Sequence, residues 1–147
     1  KTDASEFLTK LGVSEVLLRS DFEEVSKRPI LKGMFAGAID TVGGAVLENI
    51  IKSTSPMGVV TCCGNAASAN LSLTVFPFIL RGVSLVGIDS QNYPMKYREA
   101  VWEKLASEWK PQLNAFEEIT LDGLNEKIEL MLSGKLKGRV LINLQGE

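Results

Sequence analysis

Three runs in this sequence are largely apolar instead of alternating at every second position: Phe35–Thr41 (FAGAIDT), which ends in a polar pair, Gly58–Gly64 (GVVTCCG) and Val83–Asp89 (VSLVGID). A strand of that kind is buried on both faces, as in a parallel sheet covered by helices. The stretches between them carry helical spacing. Val46, Leu47, Ile50 and Ile51 stand at i, i+1, i+4 and i+5 of a segment Ala45–Ser53. Thr74 is placed to cap a helix through Arg81, with Pro77 tolerated in its first turn. Pro94 opens a long helix to about Lys110, with Val101, Leu105 and Trp109 at i, i+4 and i+8.

The ends of the chain follow the same grammar. Phe7, Leu8 and Leu11 share one face of a helix Ala4–Leu11 that Gly12 stops. Glu15–Arg19 (EVLLR) reads as a short buried strand, and Asp21–Arg28 as a short helix interrupted by Pro29. Glu117–Thr120, a helix carrying Leu124, Ile128 and Met131, and a strand Val140–Leu144 close the chain. Strand-helix alternation with short connections predicts a right-handed α/β layer structure. No repeat, charge block or low-complexity linker divides the 147 residues, so they read as one unit.

Charge and residue usage then exclude whole classes of function. Sixteen basic against eighteen acidic residues leave a net charge of −2 and no basic stripe for nucleic acid. No apolar run approaches the roughly 18 residues that cross a bilayer, and no signal peptide opens the chain. Histidine is absent. That removes a Ser-His-Asp triad, a His-ligated zinc site and imidazole acid-base catalysis from this chain. Cys62 and Cys63 are adjacent and cannot staple distant segments, so they read as two buried thiols of a cytoplasmic protein. The chain opens Lys1-Thr2 with no initiator methionine and runs straight into a helical pattern, as if an upstream portion were removed or left out.

In an open parallel sheet, ligands bind where loops leave the carboxyl ends of the strands. Three loops qualify by composition. Asp40-Thr41-Val42-Gly43-Gly44 leads from a strand into a helix, so its amides either face an anion or its glycines serve a tight turn. It lacks the lysine of a phosphate-binding P-loop and is not GxGxxG. Cys63-Gly64-Asn65-Ala66-Ala67-Ser68-Ala69 has side chains small enough for a flat ligand to reach the backbone; flexibility is the alternative explanation. In Asp89-Ser90-Gln91-Asn92, Ser90 is placed to bond a ligand or to cap the next helix. Arg19 and Lys1 are candidates for a cationic pocket at the same edge, where arginine grips phosphate as a fork and lysine as a point charge. Trp102 and Trp109, with Leu105 between them, read as core packing and not as a stacking platform.

Taken together, three stretches carry a resemblance. FAGAIDTVGG (35–44) resembles a signature of the medium-chain dehydrogenase/reductase superfamily. TVFPFILRGVSLVGIDS (74–90), with GKLKGRV (134–140), is similar to its zinc-free, quinone-oxidoreductase-like branch and within that to the acryloyl-CoA reductase subfamily. The resemblance implies a three-layer, Rossmann-like parallel sheet lacking its first strands and glycine-rich loop. Residues 1–147 would form a partial NAD(P)-binding domain. Residues from about 117 would return towards an absent GroES-like substrate domain. It also implies an NADPH-dependent oxidoreductase of enoyl thioesters such as acryloyl-CoA, or of quinone-like small molecules, the alternative being a truncated module that folds and oligomerises without turnover. Lys1 and Arg19 match positions at the cofactor 2′-phosphate. Asn65, Ile79 and Ser90 match the nicotinamide and ribose side, and Arg139 matches an arginine near the C-terminus. No catalytic residue is assigned, because the substrate-polarising groups would lie in the absent half. The strand Val83–Asp89 resembles the edge through which family members form homodimers.

Overall fold

The computed structural model describes residues 4–110 and 116–145 and divides into two compact units, residues 17–98 and residues 1–16 with 99–147. The first unit holds three parallel strands in the order β1-β2-β3: β1 (Phe35–Asp40), β2 (Thr54–Cys62) and β3 (Ser84–Gly87). Helix α2 (Gly44–Lys52) links the first two strands, and α3 (Phe76–Arg81) links the second to the third. The three apolar runs are therefore the three strands, each within a few residues of its expected bounds.

Register explains which side of each strand is buried. Ala38, Val60 and Leu85 share one rung and one face. Onto them pack Leu47 and Ile51 of α2, Phe78 of α3, and Val83. Leu47, Ile51, Val60 and Val83 are the buried hydrophobic core. On the next rung Ile39, Thr61 and Val86 point to the opposite face, where Ile39 is 82% exposed. Both helices thus form one layer on one face of this sheet.

The amino ends of the strands are tied by side chains reaching for backbone. The Asn49 amide donates to the Phe22 and Glu24 carbonyls at 2.9 and 2.8 Å. The Lys52 ammonium donates to the Ser26 carbonyl at 2.9 Å. From the end of α3, the Arg81 guanidinium donates to the carbonyls of Lys52 (3.2 Å), Thr54 (2.9 Å) and Leu31. A planar fork with five N–H groups suits this task, since no single lone pair fixes a chain crossing.

The second unit contains α1 (Ser5–Lys10), which Gly12 follows in a left-handed conformation, as its spacing predicts. It also contains a strand-helix-strand piece: β4 (Phe116–Thr120), α5 (Leu124–Leu132) and β5 (Arg139–Asn143), the strands pairing in parallel. Helix α4 (Met95–Ala106) runs across the division between the units. No helix among the described residues is long and apolar enough to cross a membrane.

Five local expectations are corrected. Residues 15–18 lie in no strand, and Arg19 instead begins a 3-10 turn, Arg19–Phe22, which replaces the short helix expected from Asp21. An apolar run becomes a strand only where a neighbouring strand bonds it, and no described strand does so here. Trp102 and Trp109 are 68% and 52% exposed, so they do not pack a core; the Lys104 ammonium sits 4.5 Å over the Trp109 ring. Cys63 is exposed and Cys62 half-buried, so the thiols are not both buried. Thr74 caps nothing, because α3 begins only at Phe76, with Val75 before it.

Candidate functional site

Because β1, β2 and β3 are neighbours and parallel, the loops that follow them open on one rim of the first unit. Asp40 sits at the end of β1 and is 2% exposed. Its carboxylate accepts from the Val42 N–H at 3.2 Å and from the Gly43 N–H at 3.0 Å. An Asx turn of this kind is why Asp closes a strand here. The Val42 and Gly43 amides are therefore already engaged within the turn, which favours the tight-turn reading of this loop. Gly43 has φ +72°, and a Cβ there would lie 2.2 Å from the Ser68 carbonyl oxygen. Only glycine lets the next loop come this close.

That loop is stitched onto the first. The Cys63 N–H donates to the Asp40 carbonyl (2.9 Å), Ala66 to Thr41 (3.3 Å) and Ala67 to Val42 (2.8 Å), and Gly43 bridges Ser68. The Cys63 thiol also lies 3.3 Å from the Asp40 carbonyl. Further along, the Ser72 N–H donates to the buried Glu48 carboxylate at 2.8 Å. Between the two loops remains a cleft of about 170 Å³ lined by Gly43, Gly44, Cys62, Asn65, Ser68 and Leu85, among others. After β3, the Asp89 carboxylate accepts from the Gln91 and Asn92 N–H groups and from the Asn92 side chain. These bonds, led by the Asn92 amide, hold the Asp89 carboxyl below the usual carboxylate range.

The expected site residues are distributed unevenly. Asn65 and Ser90 stand on neighbouring loops of the rim, and neither side chain is engaged by a hydrogen bond among the described residues. Ile79 is exposed on α3. Arg19 starts the 3-10 turn that packs on α2, with its guanidinium 2.8 Å from the Glu23 carboxylate; none of its bonds reaches the rim loops. Arg139 belongs to the other unit, at the start of β5, where it donates to the Gly138 carbonyl. Lys1 lies outside the described residues. Reasoning from sequence missed Glu48, Asn49, Lys52 and Arg81. For the first three the available signal was polar residues beside the apolar stripe of α2: a buried face keeps such residues only if they are bonded.

Comparison with known proteins places this geometry. Bacillus subtilis YhfP, named a putative quinone oxidoreductase, is 37% identical over 145 residues, 97% of this chain and 44% of that protein. Its structure with NAD bound aligns at a TM-score of 0.86. Escherichia coli AcuI, named a probable acrylyl-CoA reductase, is 38% identical over 141 residues, 95% of this chain and 43% of that protein. The structure of E. coli YhdH with bound NADPH aligns at a TM-score of 0.83 and 37% identity, covering 97% of this chain and 44% of that one. The chain therefore spans less than half the length of these relatives, and its α/β fold is the Rossmann-like one they share. The family model described as zinc-binding dehydrogenase matches residues 1–107, and the chain belongs to that family.

Proposed function

We propose that this chain is the nucleotide-facing portion of an NADPH-dependent oxidoreductase whose complete form reduces an enoyl thioester such as acryloyl-CoA, or a quinone-like small molecule. The observation that carries the reading is the common rim: three parallel strands end on one side, and the loops after the first two enclose a narrow cleft beside Asn65. Such a slot, walled by glycine backbone, small side chains and the apolar Leu47, Leu71 and Leu85, suits the flat nicotinamide end of a dinucleotide. Asn65 would hold the nicotinamide and Ser90 the ribose side, with Ile79 offering an apolar surface. By the resemblance, Lys1 and Arg19 would meet the 2′-phosphate, Arg19 exchanging Glu23 for it, and Arg139 matches an arginine near the C-terminus. Bound there, the cofactor supplies the hydride; the protein supplies orientation and electrostatics.

Zinc is a different matter. With no histidine and with its two cysteines consecutive, this chain does not offer the three or four nitrogen and sulfur donors of a zinc site. No group of metal-binding side chains occurs among the described residues.

The exposed face of the sheet at Ile39, Val59 and Val86 supports reading residues 1–147 as part of a domain whose first strands and covering helices come from elsewhere. It also favours the second reading for the chain alone: a folded module without turnover. The edge strand β3 would pair with a second copy, since an open edge offers a row of unmade hydrogen bonds. Calorimetric titration tests the whole proposal. Saturable NADPH binding is expected, weakened about tenfold by Arg19→Ala with NADH binding unchanged, the scale of one charge-assisted contact. No saturable heat with either nucleotide would remove the reading for this chain. Sedimentation of the same sample should give a dimer, and a monomer would remove the pairing.

A further inference from the structure

The 63–72 loop carries Asn65 and Ser68, and of its own side chains the Ser68 hydroxyl, accepting the Asn70 N–H at 3.1 Å, and the Cys63 thiol reach backbone groups near it. Its two ends are also tied through two buried carboxylates: Asp40, from the candidate loop 40–44, and Glu48, which lay outside every expected loop. Asp40 shapes the β1–α2 turn by accepting the Val42 and Gly43 amides, and the carbonyls of that turn receive Cys63, Ala66 and Ala67. Glu48, one turn into α2 and 6% exposed, takes the Ser72 amide at the other end of the loop. Glu48 and Lys52 are four apart on α2, but they do not pair: one reaches for Ser72 and the other for Ser26. A carboxylate placed to neutralise a neighbouring lysine would have taken it. This one is directed at a loop amide instead.

We propose that Asp40 and Glu48 are positioning residues: acting from opposite ends, their carboxylates hold the 63–72 loop in the shape that presents Asn65 to the nucleotide. The inference rests on the nucleotide reading above. Its physical basis is the cost of leaving the buried Gly43 amide, or a buried Asp40 or Glu48 carboxylate, unpaired, which exceeds the gain from making the bond. Asparagine or glutamine at these positions keeps an acceptor oxygen, whereas alanine leaves the amides with nothing.

The test uses Glu48→Ala, Glu48→Gln, Asp40→Ala and Asp40→Asn in the full chain. Hydrogen exchange and NADPH titration are measured on each. The alanine variants should raise exchange across residues 63–72 about tenfold, the weight of one bond to a charged group, while β1, β2 and β3 keep their protection. NADPH affinity should fall by a similar factor, and the amide variants should recover most of both. Unchanged exchange in the loop, or an equal rise through all three strands, would overturn the proposal. So would amide variants no better than alanine. If Asp40→Ala fails to fold, the Glu48 pair decides. If the unmodified chain shows no NADPH saturation, the nucleotide reading falls, and exchange alone decides whether the carboxylates hold the loop.

Discussion

The two units of this protein are built from the same parts and packed to different depths. Both contain parallel strands joined by a helix. In residues 17–98 a third strand and a second helix let Leu47, Ile51, Val60 and Val83 close on one another, with Ile51 and Val60 fully buried. In residues 1–16 and 99–147 no described residue is buried. There Leu124, Ile128, Met131, Val140 and Ile142 line an open groove of about 510 Å³ between α5 and β5. In the β4-α5-β5 piece, two strands and one helix cannot surround a side chain, however apolar the sequence. The difference lies in how many elements pack on the strands.

The largest expected effect follows directly. Ile51→Ala should cost about 3 kcal/mol in urea unfolding, because it leaves a cavity where packing is complete. Ile128→Ala removes the same atoms from a residue 41% exposed and should cost under about 1 kcal/mol. Equal losses would show the two units to be equally well packed and would break the comparison.

The contrast also marks what was legible in the sequence. Period and apolarity located β1, β2, β3, α2 and α5 to within a few residues, because each pattern is local. The same signal misled at Glu15–Arg19 and at the tryptophans. An apolar run reports a preference for burial, but burial needs a partner surface, and neither stretch is covered by one among the described residues. The site was half legible. Loop composition pointed to residues 40–44 and 63–69, but which loop groups were already spent was decided by Asp40 and Glu48. The Arg81 latch spans 50 residues to Leu31, and no spacing rule reaches that far.

That latch gives the next, smaller effect. Arg81→Lys should cost about 2 kcal/mol, since an ammonium cannot serve the Leu31, Lys52 and Thr54 carbonyls together and leaves part-buried acceptors unpaired. Arg139→Lys, in the other unit, removes an exposed bond to the neighbouring Gly138 carbonyl and should fall within about 0.5 kcal/mol. Recovery of full stability by Arg81→Lys would mean that charge, not the planar fork, makes the tie.

The smallest effect separates the units by pH. In the deeper unit, the Asn92 amide and the backbone N–H groups of Asn92 and Gln91 hold Asp89 below its ordinary value of 3.8. Its contribution is therefore complete above 3.8 and disappears as pH falls through the lowered value. In the shallower unit, the Lys127 ammonium on α5 meets the Glu117 carboxylate on β4 at 2.8 Å, and that bond raises Lys127 above its ordinary 10.5. This contribution is complete below 10.5 and disappears as pH rises through the raised value. The two units should thus loosen at opposite ends of the pH scale, the 89–92 turn in acid and the α5–β4 tie in alkali. NMR titration of the Asp89 carboxyl and the Lys127 amine reads both directly. In Glu117→Gln the Lys127 midpoint should drop back towards 10.5 while Asp89 stays where it was. A Lys127 midpoint already at 10.5 in the unmodified chain would mean that water, not Glu117, holds the ammonium, and that the groove unit lacks even this tie.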